Sequence, residues 1–103
     1  MLVHVTMTHS ADNCPAYEKE KALPAFIGWG DKMATTAAEM RVKVLSLLWA
    51  APEHTAYALL EAESLGNIGR FVNSMPIRQD FRVTPVANLV DVVAMAKEMM
   101  AKK

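Results

Sequence analysis

The sequence predicts an α+β domain in the order strand, helix, strand, strand, helix, strand, followed by an additional C-terminal helix. Two patterns predict it. Met1 to Thr8 alternates in the period of a strand, and Val42 to Glu63 contains two apolar runs joined by Ala51-Pro52-Glu53-His54, which reads as a hairpin. The remaining segments carry apolar residues three and four positions apart, the period of a helix buried on one side.

In the first strand Met1, Val3, Val5 and Met7 share one face, against Leu2, His4, Thr6 and Thr8 on the other. His9-Ser10-Ala11-Asp12-Asn13 is polar and reads as a turn. Pro15 suits the first position of a helix that continues, with interruptions, to Met40. Phe26, Trp29, Met33, Ala37 and Met40 form its apolar stripe, and Pro24, Gly28 and Gly30 predict a kink or break near its middle. In the second strand strict alternation places Val42, Val44, Leu48 and Ala50 on one face and Leu45, Leu47 and Trp49 on the other. Both faces are apolar, so the sheet calls for cover on both sides. After the hairpin, Ser64 is a helix cap; Leu65, Ile68, Phe71 or Val72, and Met75 are the buried side, and Pro76 stops the helix. Ile77 to Val86 reads as the fourth strand, and Asn88 caps a final helix with Val92, Val93, Met95, Ala96 and Met99 as its apolar face.

The 103 residues make one domain over 1–103, large enough for a core without disulfides or a structural metal. Eleven basic and eleven acidic side chains cancel, which disfavours nucleic acid and anionic membranes as partners. No apolar run approaches the roughly 20 residues of a membrane span, and the start lacks the basic region of a signal peptide. The single cysteine, Cys14, has no internal partner and suits a reducing compartment, so the expected location is cytoplasmic.

Right-handed crossovers place strands one and three side by side in the middle of the sheet, read here as parallel, with two and four at the edges. This is the ferredoxin-like split βαβ arrangement. With its doubly apolar hairpin, the chain resembles the dimeric α/β-barrel superfamily, in which two such sheets pair face to face. The two apolar faces of Val42 to Ala51 call for a homodimer, with Leu45 or Leu47 facing the partner, and the resemblance implies the same assembly. It also implies the small-molecule chemistry of relatives that include antibiotic-biosynthesis-type monooxygenases, muconolactone-isomerase-like proteins and stress-responsive barrel proteins. The haem-degrading branch uses an asparagine, a tryptophan and a histidine. Trp29, Trp49, Asn67 and Asn73 are present here, but no histidine lies on the second helix, so haem is disfavoured.

Chemistry concentrates in His9-Ser10-Ala11-Asp12-Asn13-Cys14-Pro15. A thiol at a helix N-terminus is biased toward thiolate, so Cys14 is a candidate nucleophile, metal ligand or oxidation sensor, with His9 as its base or co-ligand. His54 in the hairpin tip is the third candidate. With strands one and three parallel, the tip lies at the opposite end of the sheet, roughly 25 Å away for strands of about eight residues, so His54 reaches Cys14 only from an inverted partner subunit. Soft sulfur with imidazole suits zinc or copper. The chain has no glycine-rich phosphate loop, paired-cysteine motif or serine elbow. Met95 and Met99 read as gap-fillers rather than copper ligands, and Arg78, Asp80 and Arg82 form a charged strand face.

Two functions follow as expectations. One is a pocket between sheet and helices, lined by His4, Trp29, Trp49 and Tyr57, that binds or transforms a small organic molecule. The other is a metal or redox site built from His9, Cys14 and the partner's His54.

Overall fold

Alternation in the N-terminal segment produces strand β1, Leu2–Thr8, with Val3, Val5 and Met7 buried, in a computed structural model that describes residues 1–102. The order continues with helix α1 (Ala22–Glu39), hairpin strands β2 (Val42–Ala50) and β3 (Thr55–Ala62), helix α2 (Leu65–Asn73), strand β4 (Asp80–Pro85) and helix α3 (Leu89–Ala101). The four strands form one antiparallel sheet in the order β2-β3-β1-β4. This is a small α+β domain compatible with a ferredoxin-like fold.

The direction of β3 corrects the sequence reading. Strands β1 and β3 are antiparallel, with Val5 opposite Ala58 and Thr8 opposite Thr55. The crossover through α1 makes β1 and β2 run the same way, and the tight hairpin then reverses β3 against both. The hairpin tip and the end of β1 therefore lie side by side.

A second correction concerns the long helix. Its start is delayed by two short 3-10 turns, Ala11–Asn13 and Pro15–Tyr17, and α1 begins only at Ala22. The Glu18 carboxylate accepts hydrogen bonds from the backbone N–H groups of Glu20, Lys21 and Ala22, supplying acceptors to the first turn. Pro24 falls within that turn, where a missing N–H costs no helical hydrogen bond, and so causes no break. Gly28 and Gly30 also lie within an unbroken helix.

The third correction lies in β2. A bulge between Val44 and Ser46 changes the alternation, so Val42, Val44, Leu47 and Trp49 stand opposite Ala62, Leu60, Ala58 and Ala56 of β3. Those β3 residues are all buried, and with Val3, Val5 and Met7 they form the sheet's contribution to the core. Lys43, Ser46 and Leu48 take the alternate positions. The outer face of β2 is consequently less apolar than strict alternation implies, and Leu47 belongs to the core side.

Phe26, Trp29, Met33, Ala37 and Met40 pack on this core from α1, and Ile68, Phe71, Val72 and Met75 from α2 and its exit. Ser64 caps α2 by accepting the Asn67 N–H at 3.1 Å. Leu65, expected on the buried side, is exposed. The last strand is shorter than expected, and Pro85 is accommodated because β4 is an edge. Helix α3 forms where predicted yet buries no residue, and the long axis of the domain reaches 64 Å.

Candidate metal centre

Cys14 is positioned by its neighbours on both sides. The Asn13 N–H donates to the Ser10 carbonyl at 3.0 Å and the Asn13 side chain to Ser10 Oγ at 3.1 Å, which closes the turn after β1. Pro15 restricts the preceding residue to extended geometry, and Cys14 has φ −68° and ψ 123°. The thiol is thus held between two 3-10 turns and lies away from the start of α1, which removes the helix N-terminus invoked for it from sequence.

His54 is set by the hairpin. Ala51–Glu53, with Pro52 inside, makes one 3-10 turn, and His54 follows in the left-handed region at φ 51° and ψ 44°. That conformation costs a non-glycine residue on the order of 1–3 kcal/mol, less readily recovered by β-branched side chains than by Asn, Asp or His. The pairing of Thr8 with Thr55 brings His9 beside it.

His9, Cys14 and His54 therefore meet within one chain, each offering a ligand atom within 4.8 Å of the others. The antiparallel pairing puts His54 of the same chain, rather than the partner's, beside His9 and Cys14. The centroids of the two imidazoles are 5.2 Å apart, edge to face. Trp49 stacks on His9 at 5.2 Å and 26°, which the bulge in β2 makes possible by placing Trp49 on the core side. Tyr17 approaches His54 at 6.0 Å and Phe26 approaches Trp49 at 5.2 Å, two aromatic neighbours not foreseen at the site.

Polar atoms at this centre lack partners. Both ring nitrogens of His9 and Nδ1 of His54 are buried without a hydrogen bond, and His9 is only 8 % exposed. Each such group costs about 1–3 kcal/mol unless something else satisfies it. Burial, and then the neighbouring His54, lowers the His9 pKa below its ordinary 6.5, so the ring is neutral with a lone pair free at neutral pH. Zinc bonds to nitrogen and sulfur of roughly 2.0–2.3 Å put tetrahedral ligand atoms about 3.3–3.8 Å apart, so holding such an ion would require the cluster to close by about 1 Å. Among the described residues, no fourth His, Cys, Asp or Glu joins the group.

A cavity of about 180 Å³ opens against Cys14 and His54, walled by Tyr17, Leu23, Phe26 and Trp49. On the other side of His9 a polar cleft of about 270 Å³ carries Arg78, Gln79 and Asp80. A wider groove of about 590 Å³ between Met1, Arg41 and Glu63 lies at the far end of the sheet and holds none of the three residues.

The four residues expected to line one organic pocket are divided. Trp49 stands against His9, while Trp29 lies against α2, donating Nε1–H to Ser74 Oγ at 2.9 Å and packing on Phe71. His4 and Tyr57 face each other at 6.1 Å on the opposite side of the sheet from Trp49. Among the described residues no helix is long and apolar enough to cross a membrane. No protein-family model and no curated protein matches this chain.

Proposed function

We propose that this protein binds a metal ion through His9, Cys14 and His54 of a single chain, with zinc as the resident ion and copper(I) as its competitor. The observation that carries this reading is the convergence of three soft or borderline donors around histidine nitrogens that are buried and otherwise unsatisfied. Two imidazoles and one thiolate are a donor set that zinc and copper share, and three protein ligands leave a position open. Metal-free protein titrated with zinc, and separately with copper(I) under reducing conditions, is followed by native mass spectrometry. One tightly held ion per chain is expected, and no ion held by folded protein would overturn the reading.

A small organic ligand remains part of the proposal, carried by the aromatic cavity beside the cluster rather than by the four residues first expected to form a pocket. Isomerase-like or monooxygenase-like chemistry would then take place at that cavity.

The assembly we infer is a homodimer of the barrel type. Two surfaces support it: the outer sheet face with Leu2, Leu48, Tyr57 and Leu59, and helix α3 with Leu89, Val90, Met95 and Met99 exposed. An isolated helix of 13 residues is marginal in water, and α3 gains no burial within its own chain. In a two-fold dimer such surfaces would be buried reciprocally against the second copy. Sedimentation at micromolar concentration tests this, and a stable monomer would refute it.

A further inference from the structure

Three protein ligands and an adjoining cavity make a centre that is incomplete without a fourth donor. Resting on the metal reading above, we propose that this fourth donor is the sulfur of a small apolar thiol, whose body occupies the cavity walled by Tyr17, Leu23, Phe26 and Trp49. Cys14 and His54 form part of the wall of that cavity, so a molecule inside it sits against two of the three metal ligands. The rest of the enclosure is aromatic and aliphatic, from Tyr17, Leu23, Phe26 and Trp49, and offers a bound water few partners.

Charge selects the donor. A divalent ion with one thiolate and two neutral imidazoles retains a single positive charge, costly to leave uncompensated against apolar walls. One anionic donor cancels it. A site that already uses sulfur favours a further soft donor, which points to a thiolate. Size selects the body: the cavity holds about 180 Å³, and an apolar cavity of roughly 150 Å³ accommodates benzene. In the binding step the thiol S–H bond breaks heterolytically, sulfur keeps the electron pair and bonds to the metal, and the proton passes to solvent.

The test uses the full chain loaded with cobalt(II), which takes the same donors as zinc and reports them by colour. Cobalt alone should give a near-ultraviolet sulfur-to-metal charge-transfer band from Cys14, and absence of that band in folded protein would defeat the metal reading itself. With the band present, thiophenol should add a second sulfur band that saturates at one equivalent, while glutathione, larger and multiply charged, should not. Thiophenol that leaves the spectrum unchanged, or that strips the cobalt, overturns the inference, as does equal binding of glutathione. Leu23→Phe fills the cavity from α1 and Ala51→Val from the hairpin side. Either variant, once shown to keep the cobalt band, should bind thiophenol at least about tenfold more weakly. Unchanged affinity in a variant that keeps the band would show that the thiol does not use this cavity.

Discussion

The backbone N–H of His9 donates to the carbonyl of His54 at 3.1 Å, so the two imidazoles that approach each other edge to face are also tied through the main chain. This bond extends the β1–β3 ladder one step beyond Thr8 and Thr55. Both histidines therefore flank the end of the β1–β3 ladder and are anchored to it, whereas Cys14 lies farther out between two 3-10 turns. Anchoring two of three donors to one ladder limits the adjustment an ion would require.

Because all three donors belong to one chain, complementation between subunits should fail. Cys14→Ala and His54→Asn proteins, unfolded together and refolded as a mixture, contain no chain with all three ligands. Zinc binding should remain absent in the mixture, measured by native mass spectrometry after subunit exchange is demonstrated. Recovery would place His54 back across an interface.

The variant His54→Asn separates ligation from folding. Asparagine tolerates the left-handed backbone that residue 54 adopts, so thermal stability of the metal-free protein should change by less than about 1 kcal/mol. Zinc affinity should fall more than about 100-fold, beyond the roughly 10–100-fold cost of losing an outer-shell partner. Stability by denaturant titration and affinity by competition with a chelator check the two halves.

Acid should destabilise the metal-free protein. Burial and the adjacent His54 hold His9 below its ordinary 6.5 in the folded state, while the unfolded chain takes up the proton near that value. The unfolded state thus binds more protons over this window, so stability is full above about pH 6.5 and declines as pH falls through the lowered folded pKa. Urea midpoints measured from pH 8 to 5 should show the decline, and His9→Gln should flatten it. A midpoint that rises on acidification contradicts the assignment.

Zinc removal should lower stability without unfolding the domain, since the core of Val3, Val5, Met7, Leu60 and Ile68 lies outside the site. At free zinc a thousandfold above the dissociation constant, the ion contributes about 4 kcal/mol. Calorimetric scans with and without chelator should differ accordingly, and both should show a cooperative transition.

Deleting Leu45 removes the extra residue of the β2 bulge. Val44 and Ser46, already paired with the consecutive Leu60 and Leu59, would then be neighbours, and Val42, Val44, Leu47 and Trp49 would keep the core side in regular alternation. We expect the deletion variant to fold with Trp49 still against His9 and with native tryptophan emission. Leu45→Gly, which keeps the residue count, should preserve the emission. A deletion variant with emission shifted to longer wavelength would show that Leu45 is not the extra residue of the strand.

Local patterns determined much of this protein. The period of two in β1, the stripe from Phe26 to Met40 and the Ser64 cap all depend on neighbours in sequence, and they appear where the pattern puts them, whereas α2 ends at Asn73, two residues short of Met75. The identity of His9, Cys14 and His54 as the chemically suggestive residues was also legible, because few other side chains in the chain offer comparable chemistry. Tertiary structure decided how they meet. The direction of β3 relative to β1 follows from counting reversals along the whole topology, and that count moved His54 from a partner subunit to its own chain. The bulge at Leu45 is settled by how β2 matches β3 and the helices above it, since an unpaired residue is favourable only when its neighbours gain better contacts. Ligand geometry depends on strand direction and pairing register, both set by contacts between residues far apart in sequence.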